Sequence, residues 1–333
     1  MVKKTNPQIE VSIIVPCFNE EKTIQILLQA ILVQSHKTEN IEVVIADAIS
    51  TDKTRQKILE FSKNNPSLTI RIVDNLKRTI PSAVNLAASS AKGKYLVRLD
   101  AHSVPNKDYI LNSVNLLKSG KAQNVGGVWE ICPGEGTCIA KAIAKAASHP
   151  LGAGDAGYRI STQAGFVDTV PFGAFKKEDF NSLGGFDENL LSNEDYEFNT
   201  RLRQNGGKVW LDPAIRSKYY ARKNLKELGK QYWRYGYWKN RMLRKYPSSL
   251  RWRQAIPPVF VLFTIIFGVL SLYMPIARII MGTGVGFYLF ALLLSSFIES
   301  VKKKDGCYMK MVFAFATIHF CWGGGFLFSF FSK

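Results

Sequence analysis

The chain has 333 residues, a length typical of two domains, and its 44 basic and 26 acidic side chains leave a formal net charge of +18. This excess predicts an anionic partner, either nucleic acid or a membrane surface. From Ala255 onward the sequence is strongly apolar, with six basic and two acidic residues, which argues against an entirely soluble protein.

Short apolar runs alternate with amphipathic segments through the first hundred residues. The predicted strands are Val11–Pro16, Glu42–Ala46, Leu68–Val73 and Lys94–Leu99. Helices are predicted after the first three strands, over Thr23–Val33, from the turn Asp47–Asp52 to about Ser62, and over Ile80–Ala91. This alternation predicts an α/β fold with a doubly wound, mostly parallel sheet. Ligands bind such sheets at the carboxyl ends of the strands, where Asn19, Asp47 and Asp100 stand.

Residues 120–213 are richer in glycine and show a looser pattern of strands and loops. One helix is predicted there, from about Asn193 to Gln204, and Gly206-Gly207 ends it because glycine adopts the left-handed conformation that closes a helix. Asp195 at the helix start has two interpretations. It is either a general base near a helix N-terminus, which favours its ionised form, or part of a capping box with Ser192.

A strongly basic segment precedes the apolar region. Residues 215–254 carry thirteen Lys and Arg side chains and a single acid, Glu227. This placement favours a membrane surface over nucleic acid, because basic residues beside a membrane segment meet anionic headgroups. Within it, Gln231–Lys239 interleaves aromatic and basic side chains. That mixture is found in nucleic-acid stacking surfaces and in interfacial helices, and its position beside a membrane segment favours the interfacial helix.

Three apolar segments follow, and each is close to the ~20 residues that span a bilayer. They run roughly over Ala255–Met274, Ile276–Ile298 and Met309–Phe331. The positive-inside rule places Lys302–Lys304 on the cytosolic side and Lys333 on the opposite side. We therefore predict a cytosolic domain over residues 1–214, an interfacial segment over 215–254 and three transmembrane helices over 255–333.

The five cysteines are odd in number and lack a CxxC pair. This count predicts neither a disulfide framework nor a zinc site, and it favours a reduced, cytosolic setting for the soluble part. The polar stretch from Met1 to Glu10 does not have the apolar core of a secretory signal.

Two further groups of polar residues follow predicted strands. In Asp100-Ala101-His102, a carboxylate and an imidazole can face one divalent ion, or they are simply a helix-capping Asp and a surface His. In the turn 47–54, Ser50 or Asp52 can be the N-cap of the next helix, which would account for that residue without a ligand. Asp47 stands before the cap, and it is a candidate contact for a base or ribose.

Six motifs in chain order resemble those of the inverting family 2 glycosyltransferases. They are V-S-I-I-V-P-C-F-N-E-E (11–21), D-A-I-S-T-D-K-T (47–54), R-L-D-A-H (98–102), G-G-F-D-E (184–188), N-E-D (193–195) and Q-Y-W-R-Y (231–235). D-T-V-x-F-G-A-F at 168–175 and R-Y-G-Y-W-K at 234–239 resemble the membrane-bound branch of the succinoglycan-type exopolysaccharide glycosyltransferases. The resemblance implies the nucleotide-diphospho-sugar transferase fold, GT-A-like, followed by a transmembrane region.

The resemblance also implies roles for single residues. The implied nucleotide pocket is lined by Pro16, Phe18, Asn19, Glu20 and Asp47, with Arg78 on the base or phosphates. Asp100 and His102 occupy the position of the family's D-x-D metal motif. Asp195 occupies the position of the catalytic base, and Glu194 beside it orients the site. Gln231, Arg234 and Tyr235 match the Q-x-x-R-W motif near acceptor and diphosphate.

Two positions depart from the family pattern. His102 stands in place of a carboxylate, which favours Mn²⁺ over Mg²⁺, and Tyr235 stands in place of Trp, which weakens the case for a processive enzyme.

The implied activity is transfer of a sugar from a nucleotide-diphosphate donor to a lipid-linked or polysaccharide acceptor at the cytosolic membrane face, with a divalent metal and without nucleic acid. One alternative is a polyprenyl-phosphate sugar transferase, whose phosphate nucleophile needs no general base. A second alternative is a non-catalytic membrane scaffold or transport subunit on the same fold. The intact Asp100, Glu194 and Asp195 favour an enzyme.

Overall fold

A computed structural model describes residues 9–332 of the chain. Residues 1–8 and Lys333 lie outside this range. The predicted location of Lys333 across the membrane therefore falls on a residue outside the described range. The chain forms two compact units. The first contains residues up to Glu130 and Ser161–Tyr219, and the second contains Ile131–Ile160 and the residues from Tyr220 onward.

One mixed sheet organises the first unit. The described strands are β1 (Val11–Cys17), β2 (Ile41–Asp47), β3 (Thr69–Asp74), β4 (Tyr95–Arg98), β5 (Val104–Pro105), β6 (Asn124–Cys132), β7 (Gly165–Phe166), β8 (Ala174–Lys176) and β9 (Val209–Tyr220). Their order is β3-β2-β1-β4-β8-β6-β9-β5, and β7 pairs with β9. The fully buried Ile13, Val15 and Val97 are in the core beneath the sheet.

The four predicted strands correspond to β1–β4, and they pair in parallel as predicted. The later strands pair antiparallel, β4 with β8, β6 with β8, and β5 and β7 with β9. The sheet is therefore mixed rather than mostly parallel. Antiparallel neighbours do not need a crossover helix, which agrees with the strand-and-loop pattern of residues 120–213.

The helices are α1 (Ile24–Leu32), α2 (Thr54–Asn64), α3 (Ile80–Ser90), α4 (Tyr109–Lys118), α5 (Cys138–Ala147), α6 (Pro150–Ala153), α7 (Gly157–Ile160), α8 (Lys177–Ser182), α9 (Glu194–Gln204), α10 (Leu225–Lys245), α11 (Trp252–Leu270), α12 (Pro275–Lys303) and α13 (Met311–Phe328). Short 3₁₀ turns cover Thr38–Asn40, Pro247–Ser249 and Gly306–Lys310. The predicted end of α9 is confirmed, because Gly206 has a φ of 78° and donates its N–H to the Arg203 carbonyl at 3.1 Å.

The second unit is helical, with α5–α7 and α10–α13. Three of its segments, Trp252–Leu270, Pro275–Lys303 and Gly306–Phe328, are long and apolar enough to cross a membrane. They agree with the three apolar segments seen in the sequence. Polar contacts connect α5 to the loop after α12, with Lys141 Nζ 3.2 Å from Asp305 Oδ2.

A disulfide joins Cys138 at the start of α5 to Cys307 in the 3₁₀ turn before α13. The sequence expectation of a chain without disulfides is wrong at this pair. The two cysteines are 169 residues apart, and packing of the turn against α5 brings them together. Spacing along the chain carries no signal for such a pair.

Candidate active site

The loops that follow β1 and β2 are hydrogen-bonded to each other. Asn19, which has a left-handed φ of 53°, donates its N–H to Ser50 Oγ at 2.9 Å. Its side-chain oxygen accepts from the Thr51 N–H at 2.8 Å. The Glu20 N–H donates to Thr54 Oγ1 at 2.7 Å. These bonds make the predicted nucleotide loop and the turn before α2 one polar edge of the sheet.

Asp47 ends β2 at the same level as Cys17 of β1 and Asp74 of β3. It is fully buried, and its carboxylate accepts from the Ser50 N–H at 3.0 Å and from Arg55 Nε at 2.6 Å. Arg55 also pairs with Asp74. The carboxylate therefore anchors the turn before α2, and its predicted contact with a base or ribose stays a prediction.

The other predicted nucleotide residues surround this edge. Phe18 is half exposed and Pro16 is partly buried. Arg78 is exposed with a left-handed φ of 55°, just before Thr79, which caps α3. Asn85 on α3 contacts the G-G-F-D-E loop, donating to the Phe186 carbonyl at 2.9 Å.

Asp100 and His102 follow β4, and both are open to solvent, with 26% and 55% of their side chains exposed. The His102 Nδ1 lies 2.9 Å from Glu20 Oε1. A carboxylate on one ring nitrogen orients an imidazole and strengthens the other nitrogen as a metal ligand. The oxygen and nitrogen donors of this pair fit the divalent cation that the family resemblance implies.

Within residues 9–332, no group of three or more His, Cys, Asp or Glu side chains converges on one point to hold a metal.

Arg98, the last residue of β4, connects this edge to α9. Its side chain is buried, and Nη2 lies 3.2 Å from Glu194 Oε1 and 3.3 Å from Asp100 Oδ1. Burial opposes the charged guanidinium, but the carboxylates of Asp100, Glu194 and Asp195 raise the pKa of Arg98 above its ordinary value. The motifs of the sequence did not single out Arg98. An arginine among the apolar residues of Y-L-V-R-L (95–99) was the available signal, because buried arginine is rare unless it is paired.

Asp195 lies in the first turn of α9, beside Glu194. The N-cap residue is Asn193, with a φ of 64°, so Ser192 stands one position too early to form a capping box with Asp195. Burial, with the adjacent Glu194 carboxylate, raises the pKa of Asp195 to about 7. A carboxylate with such a pKa can accept a proton near neutral pH. Asp195 therefore has the protonation properties of a general base.

A second polar network supports the same helix. The Tyr196 hydroxyl donates to Asp168 Oδ2 at 2.8 Å, and Asn199 Nδ2 donates to Thr169 Oγ1 at 2.9 Å. All four residues are buried. In the sequence, the D-T-V stretch (168–170) marks only the family branch. The structure shows that it holds α9, which carries Glu194 and Asp195.

Gln231, Arg234 and Tyr235 are not in the first unit but on α10 of the second. Gln231 Nε2 donates to the Tyr235 hydroxyl at 2.8 Å, and Arg222 Nε donates to Gln231 Oε1 at 3.3 Å. Arg234 is exposed. One face of α10 thus presents a hydrogen-bonded amide and phenol together with cationic side chains.

Comparison with known proteins gives matches along most of the chain. A model of "Glycosyl transferase family 2" matches residues 12–184. The chain is 32% identical over 280 residues to the dolichyl N-acetyl-alpha-D-glucosaminyl phosphate 3-beta-D-2,3-diacetamido-2,3-dideoxy-beta-D-glucuronosyltransferase of Methanococcus voltae, covering 82% of this chain and 86% of that protein. It is also 32% identical to the succinoglycan biosynthesis protein ExoA of Rhizobium meliloti, covering 74% of this chain and 73% of that protein.

A solved structure shares the fold. It is a mannosyltransferase from Pyrobaculum calidifontis in complex with GDP-Man and Mn²⁺, with a TM-score of 0.66, 18% identity, and coverage of 93% of this chain and 86% of that chain. This likeness confirms the GT-A-like fold that the sequence motifs imply.

Proposed function

The chain belongs to glycosyl transferase family 2, and we propose that it transfers a sugar from a nucleotide-diphosphate donor to a lipid-linked saccharide with inversion and with a divalent cation. The name of the relative from Methanococcus voltae specifies an acceptor sugar on dolichyl phosphate. The name of the ExoA relative places it in succinoglycan biosynthesis. Both support an amphiphilic acceptor used in the synthesis of surface polysaccharide.

The observation that carries this proposal is the carboxylate pair at the start of α9, in which Glu194 is paired with Arg98. Asp195, with its pKa raised to about 7, accepts the proton of an acceptor hydroxyl. The hydroxyl oxygen forms a bond to the anomeric carbon on the face opposite the diphosphate. The bond from that carbon to the diphosphate oxygen breaks, and the leaving nucleoside diphosphate keeps the electron pair. A single displacement of this kind inverts the anomeric configuration.

Asp100 and His102 are the residues that would hold the cation, which when bound would neutralise charge on the leaving diphosphate. Glu20 orients His102, and Arg98 sets the position of Asp100. Pro16, Phe18, Asn19, Glu20, Asp47 and Arg78 are assigned to the nucleotide. Gln231, Arg234 and Tyr235 are assigned to the diphosphate and acceptor.

The membrane is the other proposed partner. Residues 215–254 supply basic and aromatic side chains for anionic headgroups, and the apolar helices of 255–333 supply the anchor. The positive-inside rule favours a cytosolic location for the domain of residues 1–214.

The test is turnover by the full chain purified in detergent. A set of nucleotide-sugars is combined with Mn²⁺ or Mg²⁺ and a polyprenyl-linked saccharide, and release of the nucleoside diphosphate and the anomeric configuration of the new linkage by NMR are measured. We expect metal-dependent transfer with inversion. The matched control replaces the saccharide acceptor with polyprenyl phosphate.

Transfer to polyprenyl phosphate that survives Asp195→Asn would instead identify a lipid-phosphate sugar transferase, because an ionised phosphate needs no base. Absence of turnover with every donor would favour the non-catalytic scaffold.

A further inference from the structure

Helix α13 packs along the basic helix α10. Gly229 on α10 lies against Thr317 and Cys321, and Gly236 lies against Trp322. Further along, Arg244 donates to the Ser329 carbonyl. Residue numbers rise together on both helices, so the two run parallel, over roughly 15 residues or about 22 Å.

The contact between these helices is close enough to fix their relative direction. A Cβ at Gly236 would lie 2.0 Å from the Trp322 carbonyl oxygen, and a Cβ at Gly325 would lie 2.2 Å from that of Trp233. Glycine is therefore required on both sides. Since the backbones touch along their length, α10 and α13 must have nearly the same inclination to a membrane.

Helix α10 itself cannot cross a bilayer. It carries seven Lys and Arg residues and one acid in 21 residues. Charged side chains in the hydrocarbon core are costly and rare. A helix with this composition lies in the headgroup region, and α13 beside it has the same orientation.

The C-terminal end of α13 lies where α11 begins. Arg241 Nη2 is 3.5 Å from the Ser332 carbonyl, and the Ser332 hydroxyl is 3.1 Å from the Tyr237 hydroxyl. The same part of α10 contacts the entry to α11, because Lys239 Nζ donates to the Ser249 carbonyl at 3.1 Å. Ser249 is three residues before Trp252, the first residue of α11.

The N-terminal end of α13 lies on the same side of the hairpin. Helices α11 and α12 are antiparallel neighbours, with the rings of Phe260 and Tyr288 4.4 Å apart, so α12 ends near the level at which α11 starts. Lys302–Lys304 and the turn into α13 follow that end. Both ends of α13 thus lie near one side of the α11–α12 hairpin.

The contacts of α13 with α11 agree with this position. Trp322 Nε1 donates to the Gln254 carbonyl at 3.2 Å, and Gly323 lies against Pro257 and Val261. Gln254 and Pro257 belong to the first half of that helix, and Val261 is its middle residue. These contacts of α13 therefore lie between the entry of the hairpin and the middle of α11.

We propose that α13 is an interfacial helix, not the third membrane span. The inference rests on the membrane association in the proposed function. On this arrangement α11 and α12 cross the bilayer, and Ser332 returns to the side of Lys302–Lys304. The surface of α10 and α13 then faces an anionic lipid leaflet, with the basic side chains of α10 at headgroups and exposed Phe313, Phe328 and Phe331 toward acyl chains.

Site-directed labelling of the full chain tests this arrangement. In a background with Cys17, Cys132 and Cys321 changed to Ser, single cysteines are introduced by Ser332→Cys, Tyr273→Cys and Lys303→Cys. A membrane-impermeant maleimide is added to sealed right-side-out and inside-out vesicles, with the unmodified background as blank. We expect Ser332→Cys and Lys303→Cys to label in one vesicle orientation, and Tyr273→Cys, in the turn between α11 and α12, in the other.

Labelling of Ser332→Cys together with Tyr273→Cys would overturn the proposal, since α13 would then span. Labelling of all three from one side would also overturn it, because the hairpin itself would not cross. An epitope after Lys333, read by antibody in the same vesicles, gives a second measurement if Ser332→Cys does not accumulate. None of these readouts depends on activity, so they are separate from the test of glycosyl transfer.

Discussion

Arg98 and Lys230 show how differently the two units use a positive charge. Arg98 is buried at the end of β4, where its guanidinium contacts Asp100 and Glu194. Lys230 is exposed on α10, within a segment that has thirteen basic residues and one acid. In the first unit a buried cation is paired with carboxylates. In the second, basic residues far outnumber acids along residues 215–254, and many of them, such as Lys230, are exposed.

The difference follows from the dielectric surroundings. A buried charge needs a partner within a few ångströms, because desolvation costs several kcal/mol. An exposed lysine keeps its hydration and is screened by salt, so it adds little to folding. We therefore expect the proposed chemistry to depend on a few charges of the first unit, and the proposed membrane association to depend on many charges of the second.

The largest expected effect is that of Asp195→Asn, which removes the basic oxygen and keeps the size. We expect transfer to fall by at least about 100-fold, within the range for loss of a general base, with donor binding and thermal stability close to those of the unmodified protein. Glu194→Gln is the matched control and should be milder. Early melting of Asp195→Asn with normal transfer would show that Asp195 has a structural role only.

Arg98→Met comes next. It leaves the buried Glu194 carboxylate without its cation, and breaking a buried pair in this way costs about 3–5 kcal/mol. Lys230→Met is the surface control, expected within about 0.5 kcal/mol of the unmodified protein. Thermal unfolding in detergent compares the two. Equal melting temperatures would mean that the buried cluster contributes no more to stability than a surface charge.

The acid limb of the pH–rate profile should reflect Asp195. Because burial and Glu194 raise its pKa to about 7, kcat/KM should fall as the pH drops below that value. The Glu194 carboxylate disfavours a second negative charge beside it, so Glu194→Gln should lower the pKa of Asp195 and move the limb to lower pH. An unchanged limb in Glu194→Gln would contradict the assignment.

The metal preference should change with His102. His102→Asp supplies an oxygen ligand, which suits the harder Mg²⁺, and should shift the Mn²⁺/Mg²⁺ activity ratio toward Mg²⁺. Asp100→Ala should abolish the dependence of turnover on the metal. If His102→Ala leaves both the rate and the metal dependence unchanged, the imidazole is not a ligand.

Tyr196→Phe should have the smallest effect. It removes the hydrogen bond to Asp168 and leaves that buried carboxylate with one donor fewer, at a cost of about 1–3 kcal/mol. Activity should fall only a few-fold, since Asp195 keeps its chemistry. A loss as large as that of Asp195→Asn would assign Tyr196 a direct part in transfer.

Local patterns of the sequence are sufficient to predict the strands, helices and loops of the first hundred residues. The spacing of apolar residues and the residue types of turns depend on near neighbours in the chain. These local features therefore predict β1–β4 and the polar edge at Asn19, Asp47 and Asp100. The motifs predicted the family and the position of Asp195 at a helix start. They also predicted three apolar segments, because hydrophobic length is a local property.

The tertiary structure decided the pairings between distant residues. Arg98 meets Glu194 across 96 residues, and Cys138 meets Cys307 across 169. Neither partner is visible in local spacing, because each pair forms only when separate elements pack. The orientation inferred for α13 has the same origin: its sequence is apolar enough to span a bilayer, but its glycines place it against a helix that cannot. Hydrophobicity is determined by composition, whereas the direction of a helix is determined by what it packs on.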